Sequence, residues 1–100
     1  MLNSRQRAQL RGMANQMETI LHIGKGGVTE NVIAQANSAL EARELIKGRV
    51  LENSLMSARE AAEELARLCR AETVFTIGSR FVLYRESRSL TKEKRIKLVD

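Results

Sequence analysis

Apolar residues recur along this chain in two rhythms, one of about 3.6 residues and one of two. Leu10, Met13, Ala14 and Met17 fall on one face of a helix, and Asn3 with Gln6 three residues on reads as its capping box. The first helix is predicted over Ser4–Met17. Arg7 and Arg11 lie one turn apart beside the stripe, so both can reach one ligand. Ile20–Ile23 is a short strand. Val32, Ile33, Ala36 and Leu40 restore the helical period and predict a second helix over Glu30–Arg43, capped by Thr29. Leu45–Leu51 reads as a strand with Gly48 a weak point or a bulge. Ser57 and Glu60 form a second capping box. Ala61, Ala62, Leu65, Ala66 and Cys69 then predict a helix over Ala58–Arg70. Thr73–Ile77 and Arg80–Tyr84 are β-rich runs separated by Gly78-Ser79, and a two-residue loop with Gly first favours a hairpin.

The order is α-β-α-β-α-β-β. It predicts a small α/β fold, α+β-like in character, with a mixed four-stranded sheet and three helices. Strands joined across a helix should run parallel, and the final hairpin antiparallel. The folded domain is expected over residues 1–86. Residues 87–100 read as a basic C-terminal tail without a core pattern, although Leu90, Ile96 and Leu98 could support a short helix.

Charge changes the picture. The net charge of +5 is segregated: residues 1–25 carry a net +3, residues 26–84 a net −1 and residues 85–97 a net +4, and Asp100 subtracts one. A segregated basic surplus suggests a polyanion surface rather than mere solubility. Glu60, Glu63 and Glu64 form an acidic helix face expected to point away from that surface. No apolar run is long enough to span a bilayer, and Met1–Arg5 lacks the apolar core of a signal peptide, so a cytoplasmic location is expected. Cys69 is the one cysteine and reads as a small buried hydrophobe.

The candidate chemistry sits at Gly24-Lys25-Gly26-Gly27, between the first strand and the second helix. Glycines let backbone N–H groups point one way beside the positive end of a helix, a geometry that binds phosphate. The turn lacks the Gly-Lys-Ser/Thr ending of a P-loop, and G-x-x-G alone would equally serve as a tight connection. Its nearest physical analogue is the loop with which KH domains clamp nucleic-acid backbone. Lys47, Arg49 and Arg80 could join it, depending on which sheet face is open. Phe81 reads as core, Tyr84 as core or stacking surface, and His22 as structural or hydrogen-bonding, with no nucleophile or carboxylate placed beside it.

Four blocks occur in order: Ser4-Arg5-Gln6-Arg7-Ala8, His22–Val32 around the glycine turn, Glu44-Leu45-Ile46-Lys47, and Gly78–Arg85. Together they resemble the CRM domain, named for chloroplast RNA splicing and ribosome maturation, and in particular its single-domain bacterial YhbY-like members. The similarity covers roughly residues 2–86. It departs from the family at Gly26, where relatives often carry Asn, and in lacking Pro before the first strand and after Arg85. The resemblance implies a fold similar to the C-terminal domain of translation initiation factor 3. It also implies a non-enzymatic RNA-binding function on precursors of the large ribosomal subunit. The expected RNA-binding residues are Gly24, Lys25, Gly26, Gly27, Arg7, Arg11, Arg80 and Arg85. No catalytic residue, metal, cofactor, membrane or small-molecule substrate is expected, and the protein should be a monomer. Alternatives are a CRM-type binder of an intron or small RNA, a protein-interaction adaptor using the acidic helix, or a nucleotide-dependent enzyme using the glycine loop.

Overall fold

A computed structural model describes all 100 residues. Helix α1 spans Ser4–Ala14, strand β1 Leu21–Ile23, helix α2 Glu30–Arg43, strand β2 Leu45–Val50, helix α3 Ala58–Cys69, strand β3 Glu72–Ile77 and strand β4 Arg80–Tyr84. All three expected caps form. Gln6 N donates to Asn3 Oδ1, Val32 N to Thr29 Oγ1 and Glu60 N to Ser57 Oγ. Each satisfies a backbone donor that the first helical turn leaves without a partner. Helix α1 stops at Ala14, short of the expected Met17. Lys47 Nζ takes the Ala14 carbonyl at 3.2 Å, and Gln16 N and Met17 N turn back onto Met13 O and Ala14 O.

The sheet order is β1-β2-β4-β3. β1 and β2 are parallel neighbours, as a strand–helix–strand unit requires. β3 also runs parallel to β2, but the hairpin strand β4 lies between them and pairs antiparallel with both. Gly78, at φ +56°, supplies the positive-φ position of that hairpin.

Gly48 is not a bulge. It pairs regularly with Leu21 and Phe81, and the Phe81 ring lies where a side chain would stand, 2.2 Å from an ideal Cβ. The irregularity falls instead in β3, between Thr73 and Phe75. The extra residue there sends Val74 and Phe75 toward the same core.

Helices α2 and α3 cover one face of the sheet around Leu21, Ile23, Ile46, Phe81 and Leu83. Helix α1 covers part of the other around Leu45, Val74, Val82 and Tyr84. Phe81 and Tyr84 are therefore both core, and burial pushes the Tyr84 hydroxyl and the Cys69 thiol above their ordinary pKa values.

The C-terminal segment departs from expectation. The sequence shows no core pattern there, yet Ile96 and Leu98 pack against the α1 core and Ser87 is 1% exposed. The reason lies outside the apolar pattern. Glu44, fully buried at the end of α2, accepts Ser87 N at 2.6 Å and Ile96 N at 2.7 Å on its two carboxylate oxygens. Burying a carboxylate costs several kcal/mol. Charge-assisted bonds of about 1.5–3 kcal/mol each offset that cost and tie the segment down. Gln9 and Gln6 on α1 bond the backbone of Lys97 and Val99 from the other side.

Candidate nucleic-acid interface

Strand register sorts the side chains into rows. Leu45, Tyr84 and Glu72 form one row, Lys47, Val82 and Phe75 a second, and His22, Arg49, Arg80 and Ile77 a third. All three share the face that carries α1, since Lys47 reaches the Ala14 carbonyl and Leu45 and Val82 join the α1 core. Helix α1 begins beside the first row, with Leu2 N on the Glu72 carboxylate, and ends over the second, with Arg11 on Phe75. The third row lies beyond its C-terminus. Its members His22, Arg49, Arg80 and Ile77 are exposed, and neither arginine has an internal ion pair or hydrogen bond.

The glycine turn stands at that same end of the sheet, since Gly24 directly follows β1 and Leu51 N bonds Ile23 O. Gly27 N closes the turn on Gly24 O at 3.0 Å. Gly27 has φ +70°, the left-handed region that favours glycine. The N–H groups of Lys25 and Gly26 donate to no acceptor in the chain, and the Lys25 side chain is exposed. Thr29 then opens α2, so the turn sits against a helix N-terminus.

Between α1 and the sheet a cavity of about 210 Å³ is lined by Arg11, Asn15, Lys47, Phe75, Ile77, Arg80, Phe81 and Val82. It holds three cations and no acidic residue. The Arg11 guanidinium lies over the Phe75 ring, 4.8 Å from its centroid. Such a contact contributes about 0.5–1 kcal/mol at exposed sites and holds the guanidinium over the ring.

The structure thus gathers Gly24, Lys25, Gly26, Gly27, Arg11 and Arg80 toward one end of one sheet face. It does not bring Arg7 or Arg85 with them. Arg7 Nη1 donates to the Thr73 and Val74 carbonyls at 2.6 and 3.3 Å, capping the β3 bulge, so Arg7 and Arg11 serve different neighbours. Arg85 is wedged between α2 and α3, donating to Asn37, the Cys69 carbonyl and Glu41. Lys47 and Arg49, which the sequence leaves open, stand on the same face as Arg80, and His22 joins them although sequence reasoning did not place it there. The missing signal was the sheet face, which depends on where α1 docks. The acidic helix α3, with Glu60 and Glu63 exposed, packs on the opposite face of the sheet. No three His, Cys, Asp or Glu side chains converge as a metal site would need. No helix is long and apolar enough to cross a membrane.

The family model of the CRS1 / YhbY (CRM) domain matches residues 2–85. The chain is 46% identical over 88 residues to "Probable RNA-binding protein YqeI" of Bacillus subtilis (strain 168), covering 88% of this chain and 92% of that protein. It is 34% identical over 86 residues to an RNA-binding protein of Haemophilus influenzae, covering 86% and 87%. Among solved structures, the solution structure of SAV1595 from Staphylococcus aureus matches with a TM-score of 0.79 at 43% identity, over 99% of this chain and 100% of that one.

Proposed function

The chain belongs to the CRS1 / YhbY (CRM) domain family, and from that premise we propose that it binds structured RNA as a non-enzymatic factor in large-subunit ribosome assembly. Relatives named as RNA-binding proteins support the first part of this reading. The observation that carries it is the continuity of two unsatisfied features. Open N–H groups of the Gly24–Gly27 turn adjoin unpaired Arg49 and Arg80, on the part of the α1 face that lies beyond the helix. Each alone is ordinary, but together they match a phosphate backbone, which offers acceptors and negative charge at regular intervals.

In this reading Lys25 and the turn amides hold one phosphate and Arg49 and Arg80 hold others. His22, Lys47 and Arg11 extend the same surface. Arg7 and Arg85 shape the scaffold beneath it. Phosphate contacts position the RNA without reading its sequence, so affinity follows RNA shape. The protein acts as a monomer in the cytoplasm, holding an rRNA segment while the particle matures. A CRM-type role on an intron or small RNA is the alternative, using the same surface.

Affinity for a structured rRNA fragment, measured across 50–200 mM salt, tests the binding. Each phosphate neutralised contributes a log–log slope of about −0.7 to −0.9. The double variant Arg49→Gln, Arg80→Gln should flatten the slope by roughly one and a half to two units. An unchanged slope would remove these residues from the interface. Sedimentation of cell extract tests the assembly role, which requires the protein to travel with large-subunit precursors.

A further inference from the structure

We propose that the cavity between α1 and the sheet takes one unpaired RNA base, stacked on the outer face of the Arg11 guanidinium. This rests on the RNA-binding reading above and goes beyond it, because phosphate contacts alone do not call for such a pocket. The Arg11 guanidinium sits over the Phe75 ring, and Arg11 is exposed, so its far side is open to a ligand. A guanidinium plane is a stacking surface for splayed-out bases in RNA recognition. Phe75 acts through Arg11 as a positioning residue. It holds the plane still, so less conformational freedom is lost when a base arrives.

The surroundings suit a base better than another ligand. The volume of about 210 Å³ lies below the roughly 300–1,000 Å³ of sites for larger organic ligands and admits one planar ring system. The Asn15 side chain offers both a donor and an acceptor to a base edge. Lys47 Nζ uses one proton on the Ala14 carbonyl and keeps two more. Arg80 stands at the rim and in the third row of the sheet, placed for the phosphate of the same nucleotide. With no carboxylate in the lining, an anionic nucleotide meets no repulsion there.

The consequence is a preference for RNA with an extruded nucleotide over a continuous helix. The test uses the whole chain and two RNA hairpins of equal length, one perfectly paired and one with a single-nucleotide bulge. The readout is the ratio of the two affinities. Wild type should favour the bulged hairpin roughly fivefold or more, the lower end of what stacking one base provides. Arg11→Lys keeps the charge but loses the plane and should bring the ratio close to one. Phe75→Leu keeps apolar contact but frees Arg11, and should lower the ratio as well. Thermal melting confirms that each variant folds. Equal affinity of wild type for both hairpins, or a ratio that survives Arg11→Lys, overturns the pocket while leaving backbone binding in place. Binding to neither hairpin overturns the RNA-binding reading and this proposal with it.

Discussion

Two glycines show how differently the same residue can be required. Gly48 is needed for space. A Cβ there would stand 2.2 Å from Cζ of Phe81, whose ring is 1% exposed. Gly48→Ala should therefore destabilise the fold by about 1–3 kcal/mol, the usual cost of overpacking. The midpoint of urea unfolding measures it, and an unchanged midpoint would mean that the ring slides aside. Gly27 is needed for its conformation, φ +70°, which β-branched residues adopt only with strain. Gly27→Val should weaken RNA binding by at least tenfold. Gly26→Ala, whose Cβ only grazes the Thr29 methyl at 3.3 Å, should weaken it much less. Unchanged RNA affinity in both variants would make the turn a connector.

At the scale of elements, polar groups rather than apolar stripes decide where two segments lie. Helix α2 ends at Glu44 with φ 66° and ψ −38°, a positive-φ cap on a residue that is not glycine. Such a conformation costs about 1–3 kcal/mol. It places the carboxylate under the C-terminal segment, where Ser87 and Ile96 bond it. Removing residues 87–100 would strip both donors from that carboxylate and uncover the α1 core. The truncated chain should lose at least about 3 kcal/mol, from two charge-assisted bonds of about 1.5–3 kcal/mol each. That is a large share of the roughly 5–15 kcal/mol that holds a domain together. Denaturant unfolding of the truncated chain gives the answer. An unchanged midpoint would show that the segment lies on the fold without supporting it.

The whole molecule divides its charge by location. Of the cations without internal partners, Lys25, Arg49 and Arg80 stand at one end of the α1 face, while other charged groups hold the scaffold. Glu41 is one of the latter. Ser89, through its hydroxyl and N–H, then the Ser87 hydroxyl and the Arg88 N–H, hold its carboxyl at about 2 instead of 4.5. A carboxyl lowered by folding stabilises the folded state fully above its unfolded pKa. That contribution disappears as pH falls through the folded value. Stability should therefore drop between pH 4.5 and pH 2, and Glu41→Gln should drop less over the same interval. Unfolding midpoints at several pH values measure the difference. Parallel curves for the two proteins would remove Glu41 from the acid response.

The elements themselves were legible in the sequence because their signals are local. Asn3–Gln6 and Ser57–Glu60 cap their own helices, Gly78 turns its own hairpin, and the period of Leu45–Val50 or Ala61–Cys69 needs no distant partner to be read. The same locality made the glycine turn visible as a candidate site. Three matters depended on contacts between segments far apart in the chain, and only the tertiary structure decided them. The docking of α1 chose the face on which Lys47, Arg49 and Arg80 stand. The insertion of β4 between β2 and β3 set His22, Arg49 and Arg80 in one row. The pairing of Glu44 with Ser87 and Ile96, more than forty residues on, turned a segment without an apolar period into part of the fold. Periodicity records which face of an element is buried. It carries no information about which element buries it, or about a polar group that finds its partner only after the chain has closed.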